Sequence, residues 1–222
     1  MAFSRVEGPT VFPSSDSLTA SMAGIGFNFG VDAAPGANIE DTLFFASAEA
    51  MDKDDLRVLA ILVTWFGVHH AWVNADRLAK LVRRYGSLRV RVLWSALSVW
   101  QAKDRRFARL TQLHDGSRVD LLTTGTEFQI ARKGEDVRFA ATCLRVPANV
   151  LREREADVLS PAELARRHSE YRYRIMMGPT YRADLWAALE VAPSLSSAEL
   201  APHLHFLCDG MAGEARLQPA VP

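Results

Sequence analysis

Between Val58 and Val73 the chain is almost wholly apolar (VLAILVTWFGVHHAWV), and this stretch limits the fold more than any other. A run of this kind either crosses a membrane or lies at the centre of a core. It is shorter than the ~20 residues that span a bilayer. It also carries His69 and His70 and follows Asp52, Lys53, Asp54, Asp55 and Arg57. It therefore reads as a buried core helix, and no membrane segment is expected.

The 222 residues, 49% of them hydrophobic, suffice for one large domain or two small ones and argue against wholesale disorder. Cys143 and Cys208 fit neither a disulfide framework nor a CxxC metal site. The N-terminus lacks the basic start and apolar run of a signal peptide, so a cytoplasmic location is expected. Net charge is zero but unevenly distributed. Residues 1–56 hold two basic and nine acidic groups, and the remaining 24 basic and 17 acidic groups lie in residues 57–222. A basic remainder of this size points to nucleic acid, or else to arginine-rich helices that simply solvate well.

Punctuation along the chain gives four regions. Residues 1–38 are rich in Ser, Gly, Pro and Ala and read as an irregular N-terminal segment, with a weak strand signal at Gly24–Val31. Residues 39–146 read as a helical domain. Asp54 and Asp55 start an apolar helix that runs through Phe66 and breaks at Gly67. Asn74 caps a helix over Ala75–Tyr85, Gly86 ends it, and Ser87 caps a third over Leu88–Trp100. Val119–Thr123, Thr126–Arg132 and Val137–Val146 read as short strands, which would make a β-hairpin wing. Residues 147–201 return to helix. One helix starts at the capping box Ser160-Pro161-Ala162-Glu163 and stops at Gly178-Pro179, and a second covers Tyr181–Glu190. A third opens at Ser196-Ser197-Ala198-Glu199. Residues 202–222 read as an irregular tail. The expected fold is mainly α with a small β component, built from one winged-helix-like module and a second, incomplete one.

Arg172 to Ala201, with its core Arg-x-Arg-x-x-x-Gly-Pro-x-x-Arg-Ala-Asp-Leu-Trp, resembles winged-helix regulators of the antitoxin-like kind encoded beside nucleotidyltransferase toxins. The likeness is best over residues 54–113 and 159–201. It implies binding to double-stranded DNA in transcriptional control, with a nucleotidyltransferase toxin as a further partner. In such relatives the third helix and wing follow a segment similar to Arg-Thr-Tyr-x-Ser-Phe-Ala-Thr-Ala-Trp-x-Val-Lys-Arg, and this chain departs from that pattern after Ala201. Codons can be chosen for Leu200–Leu217 that spell such a segment one base later. The tail from Pro202 is accordingly expected to be out of frame, which the coding DNA decides.

The DNA contacts expected in the first module are Arg83, Arg84, Arg89, Arg91, Ser95, Lys103, Arg105, Arg106 and Arg109, with Arg89, Arg91 and Ser95 on the exposed face of the third helix. Those in the second are Arg166, Arg167, Arg172, Arg174 and Arg182. Arginine suits phosphate because its planar fork donates two hydrogen bonds at once. The alternative is that these are solvated cations, some paired with Asp76 or Asp104. Paired half-sites favour a homodimer. No Walker loop, GxSxG or HExxH is present, adjacent His69 and His70 point different ways on a helix, and no cofactor, metal or enzymatic activity is expected. The rival readings are a protein–protein adaptor, whose acidic residues 1–56 meet a basic partner, and an enzyme with an unfamiliar site.

Overall fold

The structure, a computed structural model, describes residues 12–101 and 103–191. Its centre is made of helices buried along most of their length. Helix α2 (Ile39–Asp52), α3 (Leu56–His69) and α5 (Leu88–Trp100) pack together, and in α3 every residue from Leu59 to Phe66 is buried. Each starts where the sequence supplies an oxygen for orphaned amides: Asn38 accepts from Asp41 N, Asp55 from Arg57 N and Val58 N, and Ser87 from Val90 N. Deep burial of indole is matched by hydrogen bonding, since Trp65 Nε1 donates to Ile25 O at 2.8 Å and Trp94 Nε1 donates to Ser47 Oγ at 2.9 Å. Phe66 stands edge-on to both Trp94 and Phe107.

Around this centre lie α1 (Ser15–Gly24), α4 (Ala75–Tyr85), α6 (Ala108–Thr111), α7 (Thr126–Lys133), α8 (Pro161–Arg167), α9 (Ser169–Met177) and α10 (Tyr181–Val191). Helix α4 has the bounds read from the sequence. Asn74 caps it, and Gly86 at φ 79° closes it in the left-handed region that glycine tolerates. Strands β1 (Val119–Asp120) and β2 (Leu144–Arg145) pair in parallel, Val119 with Leu144 and Asp120 with Arg145. Among the described residues the fold is thus ten α-helices and one two-stranded sheet. No helix among them is long and apolar enough to cross a membrane.

Four expectations need correction. The N-terminal segment is not irregular throughout: Ser14 caps α1, and Leu18, Met22, Ile25 and Phe27 are buried in the core. The apolar helix does not break at Gly67. It continues to His69, because Gly67 lies against Trp100, where a Cβ would come within 3.0 Å of the indole. The hairpin wing is absent among the described residues. Thr126–Lys133 is helical, with Phe128 exposed, and it crosses between two parallel strands. Phe128 and Ile130 alternate as in a strand, but Glu127, Gln129, Ala131, Arg132 and Lys133 are helix formers, and Gly134 ends the turn. The helix expected from Ser160 to Met177 is two helices. His168 takes an extended conformation between them, caps α9 at Tyr171 N, and reaches Ala37 O at 2.8 Å.

The first and last described regions are also joined. Phe27 and Val158 form an antiparallel bridge, Leu159 N donates to Gly26 O at 2.9 Å, and Asn28 N donates to Asp157 O at 2.8 Å. The boundaries at 38 and 146 therefore do not separate self-contained units. The capping box that opens the third C-terminal helix and the expected out-of-frame tail lie outside the described residues.

Candidate nucleic-acid interface

A helix that reads DNA must present a free face to the groove. In α5 every residue from Val92 to Ser98 is buried, and the outward placement of its polar residues is corrected accordingly. Ser95 is buried, with Oγ donating to Thr111 O at 2.9 Å. Arg89 is half-buried and tied within the chain: it bonds Asp54 Oδ1 at 2.5 Å, Leu121 O at 2.9 Å and Met51 O. It thereby ties the start of α5 to the end of α2 and to Leu121, just past β1. The Thr123 hydroxyl and, after it, Arg89 hold the Asp54 carboxyl below its ordinary range. Among the described residues Arg91 reaches only Gly86 O, at 3.4 Å.

The remaining expected contacts divide by environment. Arg106 is engaged with Asp104 and, at 3.5 Å, with Val73 O. Arg172 is paired with Glu190 at 2.6 Å, and Arg166 bonds Ala162 O of its own helix at 3.2 Å. Arg83, Lys103, Arg105, Arg167 and Arg182 are exposed and make no ion pair among the described residues. Arg84 is exposed as well. Arg109 pairs with Asp76 at 2.8 Å, but both side chains are more than half in solvent. Such a pair contributes about 0–1 kcal/mol and yields to a better anion.

Part of this set shares one surface. Helix α4 is strongly two-sided: Ala75, Arg77, Leu78, Ala79 and Val82 are buried, whereas Asp76, Lys80, Arg83 and Arg84 are exposed. At 3.6 residues per turn those four lie within an arc of about 100°. The 3₁₀ turn Arg105–Phe107 and α6 pack along the same helix, and the Arg109–Asp76 pair sets Arg109 at the N-terminal end of the stripe. Lys80 completes the stripe, although sequence reading passed over it. Its spacing of four from Asp76 and from Arg84 was the available signal.

Arg174 belongs to a different kind of site. Placed on the DNA-facing side by sequence reading, it is fully buried: Nη1 and Nη2 bond the two Glu40 oxygens at 2.6 and 2.9 Å, and Nε bonds Asp184 at 2.8 Å. Nη1 also donates to Trp72 O at 3.1 Å, and Glu170, one turn earlier on α9, is a further ion-pair partner. Arg77, itself buried, joins the same cluster through Asp41 at 2.8 Å and Glu40 at 3.9 Å. Four carboxyl side chains thus surround two guanidinium groups where α2, α4, α9 and α10 meet. Burial opposes ionisation of Glu40, but Arg174, Arg77 and the Asn74 amide hold its pKa down. Burial, reinforced by Asp184 and Glu40, pushes Glu170 up to about 8. Asp184 is raised, chiefly by burial.

Beside this cluster, His69 Nδ1 lies 2.6 Å from Tyr171 Oη and Nε2 lies 3.0 Å from Leu159 O. Burial lowers the imidazole to about 4. Among the described residues no group of three or more His, Cys, Asp or Glu is placed to hold a metal ion. Two surface depressions, of about 140 and 170 Å³, are smaller than the ~300–1,000 Å³ usual for small-molecule sites. No family model, no curated protein and no solved structure matches this chain.

Proposed function

We propose that this chain is a non-enzymatic, cytoplasmic DNA-binding protein of transcriptional control, and that it meets the duplex through phosphates rather than base edges. The observation that carries this reading is the solvent face of α4, where Lys80, Arg83 and Arg84 stand together with Arg105 and Arg109 beside them. Exposed cations on a rigid helix match a polyanion at little conformational cost, and releasing counterions from DNA makes the affinity salt-dependent. A role beside a nucleotidyltransferase toxin is the specific form suggested by the resemblance at Arg172–Ala201. Duplex binding measured by anisotropy between 50 and 200 mM salt tests the reading. Five phosphate contacts give a slope of log K against log salt near −4.5, or roughly a 500-fold loss over that range. Replacing Lys80, Arg83 and Arg84 together by alanine leaves two of those contacts and a slope of about −2. Wild-type protein that fails to bind at the lowest salt sinks the proposal.

A protein–protein adaptor is the second reading. It is favoured by a separate observation, the exposure of Ile175, Met176 and Trp186 on α9 and α10. Absence of DNA binding at low salt selects it.

A further inference from the structure

Helices α9 and α10 form an antiparallel pair whose inner side carries Tyr171, Arg174, Ala183, Asp184 and Ala187, all buried. The outer side is different. Arg172 pairs with Glu190, which fixes the register of the two helices. Met176, one turn after Arg172, and Trp186, one turn before Glu190, therefore stand on the same outer face, 69% and 48% exposed. Ile175 is 42% exposed, and Leu185 and Leu189, half-buried, extend the stripe along α10. Trp and Met are enriched at the centres of protein interfaces, and a Trp that is half in solvent has much apolar area left to bury.

The charges flanking Trp186 identify what fits there. Arg182 lies four residues before it and Glu190 four after, each about 6 Å away along the axis. Arg182 is exposed and makes no ion pair among the described residues. When two copies of α10 cross antiparallel with Trp186 on the two-fold axis, residue 182 of each faces residue 190 of the other. A single surface is then complementary to itself in charge, as an isologous interface requires. Each Glu190 would be bracketed by Arg172 of its own chain and the partner's Arg182.

We infer that the outer face of α9–α10 is a homodimer interface, centred on Trp186 and locked at each side by Arg182 and the partner's Glu190. This inference is independent of the DNA reading and is tested without nucleic acid. Sedimentation velocity on the full chain, across micromolar concentrations, should show twice the 24.6 kDa of one chain. Trp186→Asp should sediment as a monomer with unchanged far-UV circular dichroism. Arg182→Glu and Glu190→Arg should each raise the dimer Kd about tenfold or more, because each sets like charges opposite one another twice. The double variant should recover most of the loss, a rescue that a merely structural role for either residue would not give. A wild-type chain that stays monomeric overturns the inference, whether Trp186 is then covered by residues 192–222 or awaits a different protein. A dimer indifferent to Trp186→Asp and to the charge reversals overturns it equally.

Discussion

Replacing Arg174 by methionine keeps much of the side-chain volume and removes the charge on which the buried cluster depends. The wild-type guanidinium makes hydrogen bonds to Glu40, Asp184 and the Trp72 carbonyl and pairs with Glu170. After substitution, Glu40, Glu170 and Asp184 remain enclosed with Arg77 as the one cation of the cluster. Breaking a buried pair by removing one partner costs about 3–5 kcal/mol, because the other charge stays behind desolvated. The orphaned Trp72 carbonyl adds roughly 1 kcal/mol. Together these amount to a large fraction of the ~5–15 kcal/mol by which domains are stable. Urea unfolding at neutral pH, followed by tryptophan fluorescence and circular dichroism, should show a loss of about 4–6 kcal/mol. The loss should shrink near pH 5, where the stranded carboxyl groups can take up protons. Should the variant fail to fold, Asp184→Asn provides a milder case, since Glu40 still holds Arg174. A loss under about 1 kcal/mol for Arg174→Met, the size expected of an exposed pair, would refute the view that this cluster anchors α9 and α10.

Three further outcomes are expected. Glu170 holds its proton to about pH 8 in the folded chain against an ordinary 4.5, so its contribution is intact below 4.5, declines as pH rises, and levels off above 8. Glu170→Gln should therefore gain on the wild type in thermal melts with each unit of pH across that window, by at most about 1.4 kcal/mol per unit. His69 has the opposite sign: with its folded pKa lowered from 6.5 to about 4, its contribution is present above 6.5 and is lost as pH falls. Tyr171→Phe, which leaves His69 Nδ1 without its partner, should cost about 1–3 kcal/mol in urea unfolding at pH 7, and a neutral result would show that the contact is dispensable. At Gly24 a Cβ would sit 2.4 Å from Ala34 O and 3.0 Å from Ala37 Cβ. Gly24→Ala should accordingly lower stability by about 1–3 kcal/mol, read as a drop in melting temperature, unless the 34–37 turn moves away freely.

Local chemistry was readable wherever one residue decides a backbone event. Asn74, Gly86 and Ser87 frame α4 and start α5, and the capping box at Ser160 starts α8, because a side-chain oxygen or a left-handed glycine acts within a few residues. Long-range decisions were not readable in this way. Ser14 caps α1, but α1 is covered by α2, and Phe27 bridges to Val158, 131 positions away, which periodicity cannot reveal. The charge placement failed for the same reason. Arg83 and Arg174 are alike as letters, but one lies on the open side of an amphipathic helix and the other faces Glu40, 134 positions earlier. The polarity of α5 was overridden by its neighbours: α2 and α6 close over a helix whose own pattern leaves Ser95 and Ser98 looking solvent-facing.

The bridge between Phe27 and Val158 also bears on how the molecule is made. As the chain leaves the ribosome, Gly26, Phe27 and Asn28 emerge long before the Asp157–Leu159 segment that bonds them, and His69 waits for Leu159 and Tyr171. Closing so long a loop is entropically late, and contacts of high sequence separation slow folding. Nascent chains arrested before residue 157 should therefore be open to protease near α1, whereas chains extended past Tyr171 should resist it.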